Sequence, residues 1–181
     1  MSIYLKCIPK EYYESIDKIN YLNLKERGFK ALIFDLDNTL IDYNVKIIPN
    51  EIIDFLKNLE NDFEIYILSN SREKRVKKAV SNHFKYYSFA KKPLKSGFKK
   101  VLKNGYKKSE YVMIGDQLVT DILGGNRIGI HTILIDPLDK NTEKNSTKIN
   151  RRIEKFIVKK IMKKVPLEKR EVLLDYVKKY Y

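Results

Sequence analysis

Tryptophan is absent from this 181-residue chain, cysteine occurs once and histidine only twice. A single cysteine, Cys7, excludes an intramolecular disulfide and suits a reducing cytosol. As a lone thiol it reads as a small buried hydrophobe rather than a nucleophile. His83 and His131 stand far apart, with no His or Cys partner at ligand spacing, so a zinc-type nitrogen and sulfur site is excluded and both read as structural. No apolar run approaches the ~20 residues that a spanning helix needs. The stretch from Met1 to Cys7 is too briefly apolar for a signal peptide, and Lys6 interrupts it. A cytoplasmic location is therefore expected. Repeats and low-complexity segments are also missing. The most economical organisation is one α/β domain over 1–181 with one core, residues 149–181 being a basic helical extension of it.

Charge of negative sign is scarce as well. The formal net charge is +14, and it is uneven. Residues 1–139 hold 23 basic and 18 acidic side chains, a sum of +5, whereas 140–181 hold 14 and 5, a sum of +9. Such an end either keeps the chain soluble or meets an anionic partner: lipid headgroups, nucleic acid or a phosphorylated substrate.

What is present is a run of short apolar segments alternating with helical ones. Strands are expected at 31–35, 64–68, 86–90, 110–114 and 131–135, with helices at 50–60, 72–82, 95–104 and 118–123. Strands that alternate with helices imply right-handed crossovers and a central parallel sheet. Residues 11–28 are expected to form one or two lead-in helices stopped by Gly28. In the tail, Ile149, Ile153, Phe156, Ile157 and Ile161 share a helical face flanked by seven basic residues from Arg151 to Lys164. That face either packs on the sheet or lies in an anionic membrane surface. After Pro166 a second helix presents Leu173, Tyr176, Val177 and Tyr180.

Four strand ends carry polar residues. Ala31–Phe34 runs into Asp35-Leu36-Asp37-Asn38-Thr39, and two carboxylates at the carboxyl edge of a buried strand can share one divalent cation. A lone pair of this kind is also an ordinary helix cap. The next strand ends in Ser69-Asn70-Ser71, where a hydroxyl and an amide can meet a phosphate or simply cap a helix. Lys92 precedes Pro93, which keeps it out of a helix. Finally Tyr111–Ile114 runs into Gly115-Asp116, and a second acid, Asp121, follows a little over one helical turn later. Packing alone does not explain four such ends in this order.

In sequence, DLDNT, SNS, KKP and GDQLVTD resemble the four motifs of the haloacid dehalogenase-like (HAD) hydrolases. The stretches Lys92–Phe98, Gly115–Gly129 and Ile149–Glu154 look like those of the YqeG-type subclass IIIA phosphatases, a group similar to mitochondrial phosphatidylglycerophosphate phosphatases. The likeness runs from about Pro9 to Glu154; Ser71 departs from it, standing where the group usually has a second Asn. The resemblance implies a HAD-like Rossmannoid three-layer sandwich. It also implies a Mg2+-dependent phosphomonoester hydrolase that forms an aspartyl-phosphate, with phosphatidylglycerophosphate as the expected substrate.

On that resemblance Asp35 is the nucleophile and a metal ligand, and Asp37 is the general acid and base, ligating through its carbonyl. Asp116 completes the metal ligands, and Asp121 stands behind them. Ser69, Asn70 and Lys92 take the phosphate. About ten residues separate Thr39 from the helix at Asn50, and about fifteen separate Ser69 from the next strand. Neither gap holds the cap domain that larger relatives insert there, so the site is expected to be capless and open to a bulky substrate. Soluble phosphoesters, such as nucleotides or sugar phosphates, stay open as an alternative. So does a basic RNA- or ribosome-associated module, although no RNA-binding motif supports it. Peripheral membrane attachment is the expectation that goes with a lipid substrate.

Overall fold

The computed structural model describes residues 2–181, the side chains of residues 145 and 146 excepted. Its strands are β1 (Glu11–Tyr13), β2 (Ala31–Phe34), β3 (Glu64–Leu68), β4 (Lys85–Tyr87), β5 (Tyr111–Gly115) and β6 (His131–Ile135). They form one open sheet in the order β1-β6-β5-β2-β3-β4, and every pairing is parallel. The helices are α1 (Tyr21–Glu26), α2 (Asn50–Leu59), α3 (Glu73–Val80), α4 (Lys95–Val101), α5 (Leu123–Ile128), α6 (Asn145–Lys164), α7 (Leu167–Arg170) and α8 (Leu174–Tyr180).

Alternation along the strands builds the layers, because successive side chains leave opposite faces of the sheet. Leu32 and Phe34 of β2 join Ile65, Ile67, Val112 and Ile114 in a core roofed by α2 and α3. Ala31 and Ile33 face the other way, into a core with Phe98 of α4 and Ile128 of α5. Leu134 of β6, with Val158 and Ile161 of α6 and Leu173 and Tyr176 beyond it, closes the second face over the β6 side. The result is a three-layer α/β sandwich. All four β2 residues are inaccessible to solvent, and each such Leu, Ile or Phe contributes roughly 1.5–3 kcal/mol relative to exposure. Among the described residues, no helix is long and apolar enough to cross a membrane.

Three expectations are corrected. Residues 11–13 form edge strand β1 rather than a helix, and helix appears later, in α1. Glu11 there accepts a hydrogen bond from His131 Nε2 at 2.7 Å and one from Arg27 at 2.7 Å, so side-chain contacts to β6 decide what local propensity left open. Strand β4 stops at Tyr87 instead of running to residue 90. Phe89 (φ 46°) and Lys91 (φ 54°) have positive φ, outside the extended geometry that would continue the strand. The third concerns α6. Ile161 is buried and Ile157 half-buried as expected, but Ile149, Ile153 and Phe156 are exposed, the last at 78%. The buried face is instead Thr147, Glu154, Val158 and Ile161, because α6 is turned to carry polar groups towards the carboxyl edge of the sheet.

Candidate active site

Register explains why the four motifs meet. Phe34 pairs with Ile67 of β3 and with Ile114 of β5, so Asp35, Ser69 and Asp116 emerge together at the carboxyl edge. The chain order reverses there: β3 lies on one side of β2 and β5 on the other, which is where open α/β sheets form a ligand crevice. A cavity of about 460 Å³ occupies the place, lined by Asp35, Asp37, Ser69, Asn70, Lys92 and Gln117, and by Lys144, Thr147 and Asn150 at the α6 end.

The carboxylates are buried. Oxygens of Asp35, Asp116 and Asp121 lie within 4.8 Å of one another. Lys92 Nζ, itself buried, is 2.5 Å from Asp35 Oδ1 and 2.7 Å from Asp121 Oδ1. Asp121 Oδ2 accepts the Gln117 N–H at 3.1 Å, and a π-helical turn over Leu118–Ile122 places the acid there. Gly115 is obligatory in this arrangement, since a Cβ on it would lie 2.5 Å from the Asp121 carboxyl carbon. Burial pushes the Asp35 carboxyl well above the usual carboxylate range; Lys92 opposes this, while Asp121 and Asp116 add to it. Burial likewise pushes Asp116 up to about 7 against the pull of Arg151. Burial draws the Lys92 ammonium downward, but Asp121 and Asp35 more than reverse that and leave it above its ordinary value.

Asp37 does not join the three-carboxylate cluster. Ser71 Oγ donates to its Oδ2 at 2.5 Å, and Arg75 of α3 donates twice to Oδ1, at 3.1 and 2.7 Å. Asn70 is turned to the backbone of Lys92: Nδ2 donates to the Lys92 carbonyl at 3.1 Å, and Oδ1 accepts its N–H at 2.7 Å. Ser69 Oγ accepts the Ser71 N–H at 3.0 Å. Sequence reasoning missed Ser71 and Arg75 as partners of Asp37.

It also counted Arg151 only among the basic residues flanking the apolar face of the tail helix. Arg151 reaches into the site, pairs with Asp116 Oδ2, and donates to the Asp116 carbonyl at 2.9 Å. Its other donors meet Glu143 at 2.8 Å and the buried Glu154 at 3.0 Å. Glu154 is the sole acid within α6, and that isolation was the available signal.

The pattern of a parallel sheet, four polar strand ends and a buried lysine has known counterparts. The model of the mitochondrial PGP phosphatase family matches residues 3–139. This chain belongs to that family. Probable phosphatase YqeG of Bacillus subtilis (strain 168) is 39% identical over 136 residues, which span 72% of this chain and 78% of that protein. Phosphatidylglycerophosphate phosphatase 1, chloroplastic/mitochondrial, of Arabidopsis thaliana is 29% identical over 150 residues, or 75% of this chain and 42% of that protein. Among solved structures, a HAD family enzyme of Bacteroides thetaiotaomicron superposes with a TM-score of 0.50 at 18% identity, covering 62% of this chain and 96% of its own. A hypothetical protein of Xanthomonas campestris also gives 0.50, at 12% identity, over 93% and 98%. Those two likenesses concern the fold, which is HAD-like. The mitochondrial PGP phosphatase family member described here is therefore a phosphatase with a HAD-like fold, and its substrate is a phosphorylated one.

Proposed function

We propose that this phosphatase is a Mg2+-dependent phosphomonoesterase that works through an aspartyl-phosphate on Asp35, with phosphatidylglycerophosphate as its substrate. The observation that carries the reading is the buried triad Asp35, Asp116 and Asp121 closed by Lys92. Six acids (Asp35, Asp37, Asp116, Asp121, Glu143 and Glu154) meet three cations (Lys92, Arg75 and Arg151), a formal sum of −3. A phosphate monoester adds further negative charge, so a divalent cation fits, and an all-oxygen donor set suits Mg2+ rather than Zn2+. Asp35, Asp116 and the Asp37 carbonyl would hold the ion, with Asp121 behind them, and the ion would supply charge neutralisation on the phosphoryl oxygens.

In the first step a carboxylate oxygen of Asp35 attacks phosphorus and the ester P–O bond breaks. The leaving alkoxide takes a proton from Asp37. In the second step Asp37 takes a proton from water as that water attacks phosphorus, releasing inorganic phosphate and the Asp35 carboxylate. Lys92 opposes the burial that disfavours the Asp35 carboxylate and then stands beside the transferred group. Ser69, Asn70 and their main chain meet the phosphoryl oxygens, and Asn70 also fixes Lys92 through both of its amide ends. Because monoester hydrolysis is among the slowest uncatalysed reactions, this charge placement carries much of the rate.

Two features support a lipid substrate presented at a membrane surface in the cytoplasm. Among the described residues no further element lies between Leu40 and Pro49 or between Ser69 and Arg72, where a cap would be inserted. The exposed Ile149, Ile153 and Phe156 of α6 run beside Arg152, Lys155 and Lys159. The test is phosphate release from a panel holding phosphatidylglycerophosphate in mixed micelles, nucleotides, sugar phosphates and 5′-phosphorylated RNA. The lipid should be the best substrate, EDTA should abolish its hydrolysis and Mg2+ restore it. Full activity in chelator refutes the metal assignment, and preference for a soluble ester or for RNA refutes the substrate.

A further inference from the structure

Next to the catalytic cavity lies a second depression of about 560 Å³ that shares Tyr43, Arg72, Arg75 and Lys144 with it. Asn44, Lys46, Lys74 and Lys78 make the remaining wall. Six of the eight lining residues are cationic and none is acidic. Of the six, Arg75 pairs with Asp37. Among the described residues, Lys46, Arg72, Lys74, Lys78 and Lys144 have no carboxylate within 4.0 Å.

The boundary between the two depressions is fixed by its own contacts. Arg75 bridges them, holding Asp37 with Nε and Nη2 while Nη1 donates to the Val45 carbonyl at 2.7 Å. Tyr43 shares a 2.6 Å hydrogen bond with Thr147, and the Lys144 ammonium lies 5.0 Å over the Tyr43 ring. Unpaired like charges that converge on a concave surface repel one another, and an anion in the trough relieves that repulsion while the walls focus the field on it. Arg75 thus ties Asp37, the acid proposed to protonate the leaving group, to the wall of the trough.

We infer that this trough is a subsite for a second phosphate, carried on the leaving group of the substrate. The enzyme would thus read two anions at once: a monoester phosphate at Asp35 and a phosphodiester or further phosphate between α3 and the 43–46 segment. The inference rests on the reading of the Asp35 cavity as the phosphomonoester site, and it narrows the substrates to bis-phosphorylated compounds. A membrane surface offers the same phosphate chemistry as a substrate does, so the experiment must separate the two sources.

The decisive variant is the triple substitution Lys46→Ala, Lys74→Ala, Lys78→Ala, which leaves every residue of the catalytic cavity in place. Wild type and variant are compared on glycerol 3-phosphate, which has one phosphate, and on the water-soluble deacylated headgroup of phosphatidylglycerophosphate, which has a monoester and a diester. The KM for the bis-phosphorylated compound should rise about tenfold while that for glycerol 3-phosphate stays within about twofold, with kcat unchanged for both. Equal changes for the two compounds, or none for either, overturn the subsite. An effect seen only with the intact lipid in vesicles also overturns it, since the lysines would then be reading the bilayer. If the wild type hydrolyses neither compound, the proposed function fails on its own account. Calorimetric titration of the deacylated headgroup into wild type and variant then decides the subsite, which requires binding that the variant weakens about tenfold.

Discussion

At Asp35 two opposing effects meet: burial disfavours its charge, and Lys92 2.5 Å away favours it. The pairing extends to Asp121, which is itself anchored on the Gln117 N–H, so Lys92 has two partners and cannot leave one without burying an unpaired charge. Replacing Asp35 by Asn keeps the shape of the side chain and its ability to accept a hydrogen bond, but removes the carboxylate proposed as nucleophile. Turnover should fall by about a thousandfold or more, with the circular dichroism spectrum retained, because the covalent route is lost. A well-folded Asp35→Asn protein with near-normal kcat would refute the assignment. Ser71, which the motif comparison marked as a departure from the group, has a definite job in the structure: its hydroxyl holds Asp37. A deviation that looked peripheral in sequence lies against an acid assigned to catalysis.

At the level of elements, the sheet was legible and α6 was not, for a physical reason. β2, β3, β5 and β6 are continuously apolar between polar ends, a signal that depends only on burial of both sheet faces. The acids at their carboxyl ends followed at once, because parallel register carries them to one edge. In α6 the apolar period misled. Ile149, Ile153 and Phe156 trace a helical stripe, yet the buried stripe is set by what Arg151 and Glu154 must reach. Hydrophobic periodicity assumes that apolar burial decides a helix's rotation, and here a buried ion-pair network outweighs it. β1 was missed because its three half-buried residues carry no period, and its place depends on Glu11 meeting His131. The α6 rotation makes a direct prediction. Arg151→Ala strands Asp116, Glu143 and Glu154 without their cation and should cost about 3–5 kcal/mol of unfolding free energy. Arg152→Ala, one residue on and exposed, should stay within about 0.5 kcal/mol. Denaturant unfolding of the two variants measures both, and equal effects would mean that the network does not orient the helix.

At the scale of the whole molecule, two of the basic surfaces bear on the proposed site. One is the trough beside α3; the other is the outward face of α6, where Arg152, Lys155, Lys159, Lys160, Lys163 and Lys164 are exposed around Ile149, Ile153 and Phe156. Large apolar side chains cost little when isolated in water, but three along one basic helix face suit an interface where acyl chains and anionic headgroups lie side by side. The same helix carries Thr147 and Asn150 into the lining of the Asp35 cavity, so docking through its outer face would hold that cavity within a helix's width of the bilayer. Each Lys or Arg close to an anionic surface contributes about 1 kcal/mol, fading within a Debye length of ~8 Å at physiological salt. Three or four cations are therefore enough for measurable, salt-sensitive binding without insertion. Charge reversal of Lys155, Lys159 and Lys163 to Glu should abolish sedimentation with anionic vesicles and slow hydrolysis of vesicle-borne phosphatidylglycerophosphate. Glycerol 3-phosphate should be cleaved as before, since none of these three side chains touches the Asp35 cavity or the trough. Wild-type protein that ignores anionic vesicles, or that binds them equally well in molar salt and after charge reversal, would leave α6 with a single role: carrying Arg151 to Asp116.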